Sequence, residues 1–231
     1  FSKAVEGRCY LEQLKQRSRE TGKEVEAAVS QIIEKVRVKG DEAVREYSLR
    51  FDGGVPEQLE IGREEMERLS NTCDPDFLAA LRRAAKNISE FHARQKQQSW
   101  LETREDGVIL GQRIRGLERV GGTAAYPSSV LMNAIPAKIA GVREIVMATP
   151  AKNGIPNPDI MAAALVAGVD RVFLMGGAQA VAALAFGTNS IPKVDKIVGP
   201  GNIFVATAKK QLYGTVDIDM IAGPSEILVL A

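Results

Sequence analysis

The stretch from Arg171 to Asn202, RVFLMGGAQAVAALAFGTNSIPKVDKIVGPGN, alternates two kinds of segment. Arg171 to Met175 is a short apolar run that stops at Gly176-Gly177, and Ala178 to Gly187 is Ala-rich and of helical length. After the polar turn Gly187-Thr188-Asn189-Ser190, a second apolar run, Asp195 to Val198, ends in Gly199-Pro200. The pattern reads as buried strand, helix, buried strand. It continues outward, with strands at Glu144 to Thr149 and Ile218 to Ala222 and helices at Pro158 to Gly168 and Asn202 to Leu212. Such alternation predicts an α/β fold with a parallel sheet and helices on both faces, because right-handed crossovers pack back onto the sheet.

Upstream the rhythm changes. Residues 1–119 carry 22 of the 30 basic and 22 of the 29 acidic side chains, whereas glycine and proline concentrate after Val120. The first half reads as helices. Val25, Ala28, Val29, Ile32, Ile33 and Val36 fall at three- and four-residue spacing, Gly40 ends that helix, and Asp41 is placed to cap the next, which carries Ala43, Val44 and Tyr47 and stops near Phe51-Asp52-Gly53-Gly54. Asp74-Pro75 opens a third helix with Phe77, Leu78, Leu81, Ala84, Ala85, Ile88 and Phe91 on one stripe. The expected organisation is therefore a helix-rich part over 1–120, a sheet domain over 121–226, and the start of a further strand at 227–231.

Composition excludes several functions. With 30 basic against 29 acidic side chains, no net field gathers nucleic acid or an anionic membrane surface. Cys9 and Cys73 are the only thiols and His92 the only imidazole, so no closed Cys/His zinc site can be assembled from these residues. His92 lies on a helix surface and receives no role. Val172 to Pro192 is free of charge, but Gly176-Gly177, Gln179 and the polar turn at Gly187 leave its apolar pieces too short to cross a bilayer. Residues 1–30 lack the apolar segment of a secretory signal, which leads us to expect a soluble cytoplasmic protein.

In parallel sheets of this kind ligands bind at the carboxyl ends of the strands. Three Gly-containing turns follow strands here: Gly176-Gly177-Ala178-Gln179, Gly199-Pro200-Gly201-Asn202 and Ala222-Gly223-Pro224-Ser225-Glu226. Glycine admits a ligand close to the backbone, and a helix start offers free N–H groups and the positive end of its dipole. Gln179 and Asn202 each add a donor and an acceptor suited to a ribose, phosphate or carboxamide. Helix capping is the competing role for Asn202. Gly199-Pro200-Gly201 lacks the third glycine of the standard dinucleotide fingerprint, and no turn is followed by a phosphate-binding lysine; Lys209-Lys210 reads as a solvated patch. Ser225 has only His92 as a possible base, which argues against a Ser-His-Asp triad.

The block Lys193 to Asn202, followed by Val205, Ala208-Lys209-Lys210 and Asp217 to Glu226, resembles the signature of the histidinol dehydrogenase family. Agreement extends through Gly176 to Thr188, through Tyr126-Pro127-Ser128-Ser129-Val130-Leu131-Met132-Asn133, and to Lys39-Gly40-Asp41-Glu42-Ala43, over roughly the first half of the family's length. The resemblance implies a cytoplasmic homodimer that is zinc- and NAD-dependent and oxidises L-histidinol through the aldehyde to L-histidine, with NAD in a Rossmann-like domain at 121–226. It matches Gln179 and Asn202 to NAD-contacting positions and Ser225 to a substrate-binding one. It also implies that the zinc ligands and the catalytic Glu-His pair lie beyond Ala231, so that residues 1–231 alone are expected to be inactive. A non-catalytic nucleotide-binding module and a scaffold without ligand are the alternatives.

One departure stands out. Where the family reads Arg-Val-Gly, an apolar residue and Tyr-Val-Pro-Gly-Gly, this chain has Arg119-Val120-Gly121-Gly122-Thr123. The comparison predicts that a strand and a cofactor-contacting Tyr are missing between Val120 and Gly121, and that the helix from Thr123 to Ile139 has no strand feeding it. Tyr126 belongs to another motif and does not inherit the role.

Overall fold

A computed structural model describes residues 22–221. Its centre is a six-stranded sheet. The parallel strands are β4 (Arg119–Thr123), β5 (Glu144–Thr149), β6 (Arg171–Leu174), β7 (Lys196–Val198) and β8 (Asp217–Ile218). A short edge strand, β1 (Glu60–Ile61), pairs antiparallel with β6. The order β1-β6-β5-β4-β7-β8 reverses direction between β4 and β7, and the crevice of a doubly wound sheet opens at such a point.

The expected missing strand is in place. Arg119–Thr123 is itself the central strand, with Val120 opposite Ile145 and Gly121 opposite Val146 on one side and Gly121 opposite Ile197 on the other. The ladder is continuous through Val120 and Gly121, and it feeds α5 (Pro127–Ile139). Two glycines in five residues hide the strand from any reading of side-chain pattern, yet backbone bonds to both neighbours suffice to hold it. Glycine here also serves packing: a Cβ on Gly121 would lie 3.1 Å from both Leu184 and Val194, so its absence lets the overlying helix approach the sheet.

Helices cover both faces. One face carries α3 (Arg63–Ser70), α4 (Pro75–Ala93), α5 and α6 (Pro158–Ala167), packed in a core that includes Leu81, Leu131, Ile135, Met161 and Val172. The other carries α1 (22–39), α2 (Asp41–Asp52), α7 (Gly177–Phe186) and α8 (Ile203–Leu212) around Val29, Val44, Phe173, Leu184 and Ile197. Every residue of α7 from Ala178 to Ala185 is buried, because the helix lies between the sheet and α2 and α8. A helix enclosed on all sides needs no polar face, which is why its sequence lacks charge. The two cores draw on residues from both sides of Val120.

The helices predicted in the first half form, with two corrections. Asp74 caps α4, its Oδ1 accepting from Asp76 N at 2.7 Å and Phe77 N at 3.3 Å. Asp41, however, does not cap α2: Gly40 is the N-cap residue, and the Asp41 carboxylate accepts from the Thr188 hydroxyl, from Ser190 N at 3.1 Å and from Ser190 Oγ at 2.7 Å. A local capping role is displaced by a contact spanning 147 residues. The first half also contains strands, β1 and an exposed hairpin of β2 (Trp100–Thr103) and β3 (Ile109–Gln112). Downstream, β8 ends at Ile218 rather than at Ala222. The predicted strand at 227–231 lies outside the described residues.

A candidate ligand site at the carboxyl ends of the strands

Gln179 is the third residue of α7, two residues beyond the Gly176-Gly177 turn that follows β6. Gln179 is 1% exposed, and among the described residues neither Oε1 nor Nε2 has a hydrogen-bond partner. A buried amide left unpaired costs about 1–3 kcal/mol for each group. Buried orphans are rare in folded proteins, and a ligand able to accept and donate would remove the penalty.

Gln179 lines a cavity of about 300 Å³, together with Gly177, Pro150, Asn202 and Phe204 from beyond the carboxyl ends of the strands and Ile32, Phe51 and Asp52 from α1 and α2. Sequence reading placed Gln179 and Asn202 at the ends of different strands; the structure brings both to this one cavity. Asn202 also fulfils the competing role. Its Oδ1 accepts from Phe204 N and Val205 N, both at 3.1 Å, and caps α8. The cap commits the oxygen and leaves the Asn202 NH₂ as the group available to a ligand.

The turn after β7 is held by residues that the sequence did not single out. Gly199 adopts φ 106°, and a Cβ there would meet the Thr123 carbonyl oxygen at 2.3 Å, so only glycine fits. Both of its backbone polar groups are engaged. Gly199 N donates to Asp219 Oδ2 at 2.9 Å, and its carbonyl accepts from Lys209 Nζ at 3.1 Å. Lys209 Nζ also forms an ion pair with Asp219 Oδ1, while Thr123 Oγ1 donates to the Pro200 carbonyl at 3.1 Å. The solvated patch expected at Lys209-Lys210 is thus only half right: Lys209 is 3% exposed, and Lys210 alone reaches the surface, paired with Glu26 at 3.0 Å. The signal was spacing. Lys209 lies two helical turns beyond Asn202, on the side of α8 that faces the turn.

Asp52 was also missed. It is the last residue of α2, its Oδ2 is buried without a partner among the described residues, and burial raises its carboxyl from the ordinary value. Asp41 pins the first turn of α2 to the loop after α7, and Asn153 N donates to the Asp52 carbonyl at 2.9 Å at the other end. The helix is therefore fixed at both ends over the cavity.

A larger hollow of about 720 Å³ lies on the opposite face, between the stem of the β2–β3 hairpin and α5. No orphaned buried polar side-chain atom of the described residues lines it. The smaller cavity is the candidate site on that ground. Ser225 and its turn lie outside the described residues. Among the described residues no group of three or more His, Cys, Asp or Glu could hold a metal ion. His92 sits half-buried near the end of α4 with Nδ1 at 2.6 Å from Gln95 Oε1.

Comparison with known proteins gives the same direction throughout. The family model described as histidinol dehydrogenase matches residues 15–231. A histidinol dehydrogenase of Clostridium acetobutylicum is 51% identical, aligned over 99% of this chain and 54% of its own length. One from Syntrophotalea carbinolica is 58% identical over 89% of this chain and 49% of its own. The crystal structure of histidinol dehydrogenase from Elizabethkingia anophelis superposes with a TM-score of 0.82 at 33% identity, covering 86% of this chain and 48% of that one. The chain spans about half the length of the curated relatives it matches.

Proposed function

This chain belongs to the histidinol dehydrogenase family, and from that premise we propose that the protein it forms part of oxidises L-histidinol through the aldehyde to L-histidine, with NAD as acceptor in both steps. The observation that carries the cofactor reading is the unpaired Gln179 amide, buried beside Asn202 in a cavity at the carboxyl ends of a doubly wound sheet. An NAD molecule, when bound, supplies the hydride-accepting ring. The residues of this chain bind and orient it. Gln179 offers one acceptor and two donors to a ribose, phosphate or carboxamide, the Asn202 NH₂ adds donors, and the first turn of α7, which no side chain caps, presents backbone N–H groups to negative charge.

A volume of about 300 Å³ holds part of a dinucleotide rather than all of it. The clamp on Gly199 keeps the second wall of the cavity rigid, so that cofactor binding does not have to order the turn. Ser225, placed by family resemblance, is proposed to contact substrate. The described residues do not provide a metal site, so the zinc dependence implied by the family requires ligands from elsewhere. A cytoplasmic homodimer is likewise part of the proposal. No described helix is long and apolar enough to cross a membrane.

The test is calorimetric titration of NAD into the intact gene product and into its Gln179→Leu variant, alongside L-histidinol-dependent formation of NADH. We expect NAD binding that weakens at least tenfold in the variant and turnover in the wild type. Wild-type protein that binds no NAD would sink the cofactor reading, and residues 1–231 turning over L-histidinol alone would refute the expectation that they are inactive by themselves.

A further inference from the structure

Asp52 stands where a carboxylate is hardest to justify by folding alone. It closes α2, at the negative end of the helix dipole, where acidic side chains are disfavoured. One of its oxygens is buried and has no partner among the described residues, and Asp52 lines the same cavity as the Gln179 amide. The backbone around it is over-determined. Gly53 follows in a left-handed conformation, the Asp52 carbonyl is tied to Asn153, and Asp41 anchors the far end of the helix. The side chain is therefore held at the cavity by contacts that do not involve its own carboxylate.

An acceptor-only group beside an amide calls for a ligand with hydroxyl donors. A carboxylate accepts up to four hydrogen bonds and donates none, which matches a vicinal diol and repels a phosphate. In other doubly wound dinucleotide sites an acidic side chain takes the ribose hydroxyls, but it comes from the sheet domain about twenty residues after the first turn. Here the acid would come from the helix-rich first half of the chain instead. Phe51, next to it and about half exposed, stacks on Tyr47 with ring centroids 5.6 Å apart, and Phe204 stands on the far wall. The carboxylate thus shares the cavity with two partly exposed aromatic rings, suited to the flat base that a ribose carries.

We propose that Asp52 binds a ribose diol of the dinucleotide, so that α2 contributes to the cofactor site and to its selectivity. This rests on the reading of the cavity as an NAD site. The two are separable by titrating NAD and NADP into the intact gene product, its Gln179→Leu variant and its Asp52→Asn variant, with thermal unfolding to verify that each folds. In Asp52→Asn, NAD affinity should fall about tenfold or more. If the diol is that of the adenosine ribose, the preference for NAD over NADP should also fall by about tenfold, because a 2′-phosphate no longer meets a carboxylate. If it is that of the nicotinamide ribose, NAD affinity falls and the NAD/NADP ratio holds. Unchanged NAD affinity in Asp52→Asn, with Gln179→Leu still weakened, overturns the role of Asp52 and leaves the cofactor reading standing. Failure of the wild type to bind NAD overturns both.

Discussion

Replacing Lys209 by Met tests whether a buried ion pair shapes the turn after β7. The substitution keeps the aliphatic stem and removes Nζ, leaving the Gly199 carbonyl and Asp219 Oδ1 without their shared donor. Breaking a fully buried pair from one side costs about 3–5 kcal/mol. The Asp219 side chain is 26% exposed and regains some water, so the lower end of that range applies, about 3 kcal/mol. For a domain of this size each kcal/mol moves the midpoint by about 2–4 °C, which gives a fall of roughly 6–12 °C. Adding Asp219→Asn should restore part of the loss, because it removes the uncompensated charge and keeps an acceptor for Gly199 N. Urea unfolding of wild type, single and double variants measures both effects. A single-variant loss below about 1 kcal/mol, or a double variant no more stable than the single, would show that the pair does not hold the turn.

Three further outcomes are expected. Asp41→Ala removes the acceptor of three donors from the 188–190 loop, and unfolding midpoints should report a loss of about 2–3 kcal/mol, whereas a change within 0.5 kcal/mol would mean that α2 is held by packing alone. Asp52 is raised by burial, so its ionisation weakens the native state: stability is lost as pH rises through the ordinary carboxylate range, near 3.9, and the loss is complete above the folded-state value. Asp52→Asn should therefore be the more stable protein at pH 7 without ligand, with the difference closing below about pH 4; a variant less stable at pH 7 contradicts the assignment. The Cys73 thiol is pushed up to about 11 by burial and by Asp159, so at pH 8 iodoacetamide should label it far more slowly than a free cysteine, as peptide mass spectrometry would read.

Much of this architecture was legible in the residue order. Alternating apolar runs and Ala-rich segments specify buried strands and enclosed helices, because each element must hide its own backbone and side chains. The Asp74-Pro75 start of α4 is equally local, since a cap and its N–H partners lie within three residues. The turns at Gly176 and Gly199 could be placed at strand ends for the same reason, and Gln179 and Asn202 with them.

What required the folded chain has a common cause. β4 is written in glycine and is stabilised by two neighbours that lie 25 and 76 residues away in sequence, so no local pattern announces it. Asp41 could cap a helix or tie a distant loop, and Lys209 could face water or Asp219; only the position of the partner decides. Asp52 reads as the end of a helix until α2 is laid over the cavity that Gln179 opens. Periodicity tells which face of an element is buried, but a polar contact depends on which face of which other element comes to meet it, and that is a property of the packed sheet and helices together.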